Sequence, residues 1–249
     1  GTFKQAFVPT GEAEEDEIGR ESAAVLLGAA PLLQDARVQA YVNKVGMWLA
    51  LQSERPDLRW RFAVLDDPDI NAFAAPGGYI FITKGLLGRM QNEAELAGVL
   101  AHEIGHVVAT HHLIAIRKEA RMKLAGMAVK AALEESGKDT QQLQALAGGA
   151  KLVYSRGLDR KDEHDADRIG VMLAAKAGYD PYGLVTVLQT LERMNPSSSE
   201  LGLLLKTHPQ PRDRIARLDQ VMTGRLDSLS GSALGEDRFR RELAHLIKR

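Results

Sequence analysis

The stretch from Ala94 to Ile116 constrains this chain more than any other. It holds no proline, and Leu96, Val99, Leu100, Ile104, Val107 and Val108 make it a helix that must be buried in a core. Yet it also carries Glu95, His102, Glu103, His106, His111 and His112. Buried titratable groups need partners, so a fold that accepts this helix must provide them. Within it lies His102-Glu103-Ile104-Gly105-His106, an HExxH pattern. Positions i and i+4 share one helical face, so both imidazoles can bind one metal ion. Glu103 follows the first His, close enough to act on water at the ion without being a ligand, which suits a general base.

Composition narrows the metal chemistry. The 249-residue chain has no cysteine, which removes disulfides, thiol nucleophiles and every thiolate metal site. Any ion must sit on His and carboxylates, and zinc suits two imidazoles plus a carboxylate with one position open to water. Lys plus Arg (32) nearly balances Asp plus Glu (33), so nothing favours a nucleic-acid partner. No run reaches the roughly 18 uninterrupted apolar residues of a membrane span, and no transmembrane segment is expected. The chain starts at Gly1 rather than Met and shows no signal peptide; a targeting or lipid-anchored segment ahead of Gly1 remains compatible with it.

Along the chain, helices are expected over 12–29 (acidic first turn, stopped by Pro31) and 38–51 (Val38, Tyr41, Val42, Val45, Trp48, Leu49). Alternation predicts a strand over 57–65, and Tyr79-Ile80-Phe81-Ile82-Thr83 a second strand after the Pro76-Gly77-Gly78 turn. Beyond it helices are expected over 92–133, 141–154, 161–177, 182–194, 211–221 and 236–248, Pro211 taking its favoured first helical position. The fold class is mostly α with a small β-sheet (α+β), as one domain over 1–249 with a core at about 58–218 and the terminal helices packed on it.

Two residues compete to be the third ligand. His112 has the spacing of an HExxHxxGxxH site, but Ala109 stands where a glycine would turn the chain. On a continuous helix His112 points about 240° round from His106. Glu163 instead begins a later helix, and Asp167 shares its face at i+4, placed to accept the free N–H of a ligating His. By itself, the 162–167 segment is better read as a solvated acidic helix start.

The HEIGH segment followed by Glu163-x-x-Ala166-Asp167-x-x-Gly170 resembles the gluzincin metallopeptidases of peptidase family M48. Asn71-Ala72-Phe73-Ala74, Gly78 to Thr83, Tyr154-Ser155-Arg156, Ala177-Gly178-Tyr179-Asp180-Pro181 and Thr207-His208-Pro209-x-Pro211-x-x-Arg214 agree in order, over about 58–218. The resemblance implies a zincin-type endopeptidase with one Zn2+ on His102, His106 and Glu163, Glu103 as base and Asp167 behind a ligand. Lacking transmembrane helices, the chain is most similar to soluble bacterial envelope members that degrade misfolded or unassembled outer-membrane proteins. A polypeptide substrate and a periplasmic or envelope location are thereby expected. A chaperone or assembly factor with a latent or structural zinc site is the alternative.

His208, in a proline-bracketed turn, fits an oxyanion donor or a plain cap of the Pro211 helix, and the resemblance implies a third role as a latent cap on the zinc. Arg214 fits a second oxyanion donor or a structural ion pair. Gly78, Tyr79, Ile80 and Phe81 fit either a sheet edge that pairs with substrate backbone or an ordinary buried strand. Asn71 fits a turn cap or a contact to substrate main chain. Tyr154 is expected in the core, and 122–149, with four glycines, fits a movable lid.

Overall fold

The computed structural model describes residues 11–131, 138–208 and 210–247. Its elements are α1 (Glu12–Ala29), α2 (Ala36–Ala50), β1 (Arg61–Leu65), β2 (Ala72–Ala75), β3 (Tyr79–Thr83), α3 (Lys84–Leu87), α4 (Glu93–Val108) and α5 (His111–Ala131). There follow α6 (Lys138–Arg156), α7 (Arg160–Lys176), α8 (Gly183–Glu192), α9 (Leu204–Thr207), α10 (Pro211–Met222) and α11 (Glu236–Ile247). Helices dominate and the strands form one mixed three-stranded sheet, the mostly helical α+β class expected. Part of the expected lid, 132–137, lies outside the described residues.

Strand periodicity explains the layering. Phe62, Val64, Ala72, Ala74, Ile80 and Ile82 point into a core shared with α2, α4, α7 and α8. The alternate residues Ala63, Leu65, Phe73, Ala75 and Phe81 point the other way, onto α1, α5 and α6. The buried helix α4 lies against the first face. Its start is fixed locally: the Asn92 side chain accepts from the Glu95 N–H (2.9 Å), and the Glu95 carboxylate accepts from the Gln91 N–H (2.8 Å). Glu93 is fully buried and takes hydrogen bonds from Tyr41 (2.7 Å), Tyr179 (2.8 Å) and Arg238, tying α11 to this end of α4.

The sheet corrects one expectation. Strand order is β1-β3-β2, with β1 parallel and β2 antiparallel to β3. Tyr79, Ile80 and Phe81 are therefore paired on both sides, and Gly78 lies in the turn before them, so this segment offers no free edge. The cause is Ala72–Ala75, which forms a strand of its own and folds back on β3 through the Pro76–Gly78 turn. The edge strands are β1 and β2, and β2 is the one whose residues line the cavity described below. The first strand is also shorter than alternation suggested, beginning at Arg61 rather than near Asp57.

Among the described residues no single helix is long and apolar enough to cross a membrane. Only α4 with the start of α5 passes that test, as a pair bent by 48°.

Candidate metal centre and active site

Two glycines bring the site together. A Cβ at Gly105 on α4 would lie 3.0 Å from the Ala166 carbonyl oxygen, and one at Gly170 on α7 would lie 2.9 Å from the His102 nitrogen. Their absence lets the two helices close until the HExxH face of α4 meets Glu163 and Asp167 on α7. Gly170→Ala sets a methyl group against backbone that yields only if α7 moves. It is expected to destabilise the protein by about 1–3 kcal/mol and to weaken zinc binding several-fold. Thermal unfolding and a zinc titration check this; no change in either contradicts it.

Four donors converge where these helices meet. One ligand atom each from His102, His106, Glu163 and His208 all lie within 4.8 Å of one another. His102 Nε2 and His106 Nε2 stand 3.1 Å apart. The Glu163 carboxylate lies 3.4 Å from His106 Nε2 and 3.7 Å from His102 Nε2, and 2.7 Å from His208 Nδ1. Donors around a tetrahedral zinc with N and O ligands stand about 3.3 Å apart, so spacing and donor type both fit that ion. His112 is not in the cluster: its ring stacks on Tyr154 at 5.3 Å, and its Nδ1 is buried without a partner.

Electrostatics prepare these groups for a cation. Burial pushes the Glu163 carboxyl up, but His208 and His106 outweigh it and hold it well below the usual range. Burial, and next the Arg214 guanidinium, hold the His102 imidazole below its ordinary value, which favours the neutral ring that ligates metals. Behind His102, its Nδ1 lies 2.9 Å from Asp167 Oδ1. Arg214 grips both oxygens of Asp167, at 2.6 and 3.0 Å. Burial raises Asp167, and Arg214 followed by His102 more than offsets it. Of the two expectations for Arg214, this geometry is that of the structural ion pair.

Glu103 is buried, and its Oε2 has no hydrogen-bond partner among the described residues. It lines a cavity of about 20 Å³ with Ala72, Phe73, Tyr154, Glu163 and His208. That volume suits about one water molecule. Tyr154 is buried as expected, but it also walls this cavity and donates its hydroxyl to the Ala74 carbonyl (2.9 Å) on the edge strand. Asn71 does not line the cavity. It is buried at the start of β2, where its Oδ1 accepts from the Ala72 N–H (2.9 Å) and its Nδ2 is unpaired.

The chain also turns where sequence reasoning continued the helix. The expected 92–133 helix breaks after Val108, and α5 starts anew at His111. Thr110 takes the turn with φ 58°, the one positive φ among described non-glycine residues. A left-handed β-branched residue costs on the order of 1–2 kcal/mol, which only tertiary packing repays.

A His-His-Glu donor set on two packed helices, with a buried Glu next to the first His, defines a zincin-type metallopeptidase. The sequence model of Peptidase family M48 matches residues 34–222, and the chain belongs to that family, as a metalloendopeptidase. It is 30% identical over 210 residues to the beta-barrel assembly-enhancing protease of Escherichia coli (strain K12), covering 82% of this chain and 42% of that protein. Over 183 residues it is 35% identical to the mitochondrial metalloendopeptidase OMA1 of Schizosaccharomyces pombe, covering 72% and 52%. With OMA1 of Arabidopsis thaliana the identity is 32% over 190 residues, covering 76% and 37%. The chain thus spans about half or less of the length of these relatives.

Proposed function

We propose that this chain is the catalytic domain of a zinc endopeptidase that cleaves misfolded or unassembled polypeptides in the bacterial envelope. The observation that carries the chemistry is the unpartnered, buried Oε2 of Glu103 beside the His102–His106–Glu163 donor set. One zinc ion per chain on those three residues would supply Lewis acidity toward a peptide carbonyl and toward water. Glu103 takes the proton of the attacking water at its carboxylate as the water oxygen bonds to the carbonyl carbon. It returns that proton to the amide nitrogen as the C–N bond breaks. Asp167, held by Arg214, keeps the proton of His102 on Nδ1 and leaves Nε2 free to ligate.

Substrate backbone is assigned to β2 in place of β3. Ala72 and Phe73 line the cavity, and a peptide adding to this edge would be read through main-chain hydrogen bonds, which suits loose specificity. We read this arrangement as a closed one, on two contacts: Tyr154 donates to the Ala74 carbonyl, and His208 is bonded to Glu163. Entry of a peptide requires one of these walls to move. His208 serves as a fourth donor while closed, and as a donor to the reacting carbonyl oxygen once released. The envelope assignment rests on the likeness to the Escherichia coli beta-barrel assembly-enhancing protease.

The test is incubation of the purified chain with casein, with and without a chelator. Cleavage that the chelator stops and added zinc restores is expected. Intact casein with one zinc bound per chain would favour the binding or assembly role instead.

A further inference from the structure

An imidazole that ligates through Nε2 carries its proton on Nδ1, and a buried N–H needs an acceptor. For His102 that acceptor is Asp167. For His106 no carboxylate among the described residues is in place at Nδ1, which lies 3.1 Å from the Nδ1 of His111. His111 is itself buried, 7% exposed, at the first position of α5. Its other nitrogen, Nε2, faces Asp165 at 3.6 Å and Asp162 at 4.0 Å. Two carboxylates on that side favour the tautomer with the proton on Nε2, which leaves Nδ1 as a lone-pair acceptor. His112 does not compete, since its ring lies on Tyr154 and its Nδ1 is unpaired.

The turn at Thr110 supplies an independent observation. On an uninterrupted helix, residue 111 would sit about 140° round and about 7.5 Å beyond His106, out of reach of its ring. The break after Val108 and the left-handed Thr110 bring His111 back over His106. Backbone strain at a site is retained where it places a group.

We infer that His111 is a positioning residue for the metal site: it accepts the Nδ1 proton of His106 and so presents His106 Nε2 to the ion, with Asp165 and Asp162 orienting His111 in turn. The two histidines are thus held differently, His102 by a carboxylate locked to Arg214 and His106 by a neutral ring. The inference rests on His106 being a zinc ligand.

The test uses the full chain in three variants. His111→Leu removes the acceptor, His111→Asn keeps an oxygen near the Nδ1 position, and His106→Ala removes the ligand. Zinc affinity is measured by competition with a chromophoric chelator, and apo stability by thermal unfolding. His111→Leu is expected to weaken zinc binding about 10–100-fold with the apo unfolding midpoint little changed, and His111→Asn to recover most of that loss. Wild-type affinity in His111→Leu, or equal losses in both His111 variants, overturns the inference. Wild-type affinity in His106→Ala overturns the zinc-ligand assignment itself, so the two failures are distinct. A measurement on the wild type covers the case in which His111→Leu does not fold. Nitrogen-15 NMR of the zinc-loaded imidazoles is expected to show His106 protonated on Nδ1 and His111 on Nε2; a His111 proton on Nδ1 contradicts the inference.

Discussion

Glu103→Gln is expected to lower kcat/KM on an unfolded protein substrate by about 10²–10⁴-fold while leaving zinc bound. Gln has the same shape and keeps the packing of a side chain that is 2% exposed, but its amide cannot take a proton from water. Glu103 is absent from the group of converging donors, so the ion should not notice the change. Steady-state kinetics and zinc content on the same preparation separate the two effects. Near wild-type turnover would move the base elsewhere. Loss of zinc would make Glu103 a ligand.

Glu163→Ala is expected to act on the other quantity. It removes the only carboxylate in the donor cluster and leaves imidazoles alone around the ion. Its effect on zinc affinity should exceed the 10–100-fold typical of losing a partner one bond further out, and activity should fall with it. His112→Ala is the control, because His112 lies outside the cluster and meets His106 only ring to ring, at 5.2 Å between centroids. Zinc titration of both variants decides between the two third-ligand geometries that spacing left open. Weak binding in His112→Ala with normal binding in Glu163→Ala would reverse the assignment.

The parts of this site that were legible in the sequence are those with a short-range signature. HExxH on an apolar helix, and the Glu, Asp and Gly170 of the later motif, all lie in local patterns; α7 formed within one residue of both expected ends, and α4 began within one residue of its expected start but stopped at Val108. What was not legible depends on contacts made late in the chain or against local preference. β2 has four residues, three of them alanine, with little strand propensity of their own; pairing with β3 makes it a strand. With β2 in place, the strongly patterned 79–83 segment became the centre of the sheet instead of its edge. The helix break at Thr110 has neither glycine nor proline to announce it, because tertiary packing imposes it. Arg214 fits two roles by sequence and is paired with Asp167 by a contact 47 residues apart in the chain, and His111 meets His106 only through a turn that spacing does not announce. A buried His five positions after the second His of the motif was the signal available for His111.

One ion is expected on His102, His106 and Glu163, with Glu103 beside it. A zinc-edge anomalous difference map from crystals of the zinc-loaded protein tests it most directly. A single peak about 2.0–2.2 Å from His102 Nε2, His106 Nε2 and a Glu163 oxygen is expected, with Glu103 outside bonding distance. A peak bound by His112 in place of Glu163, or no peak at this cluster, would contradict the account.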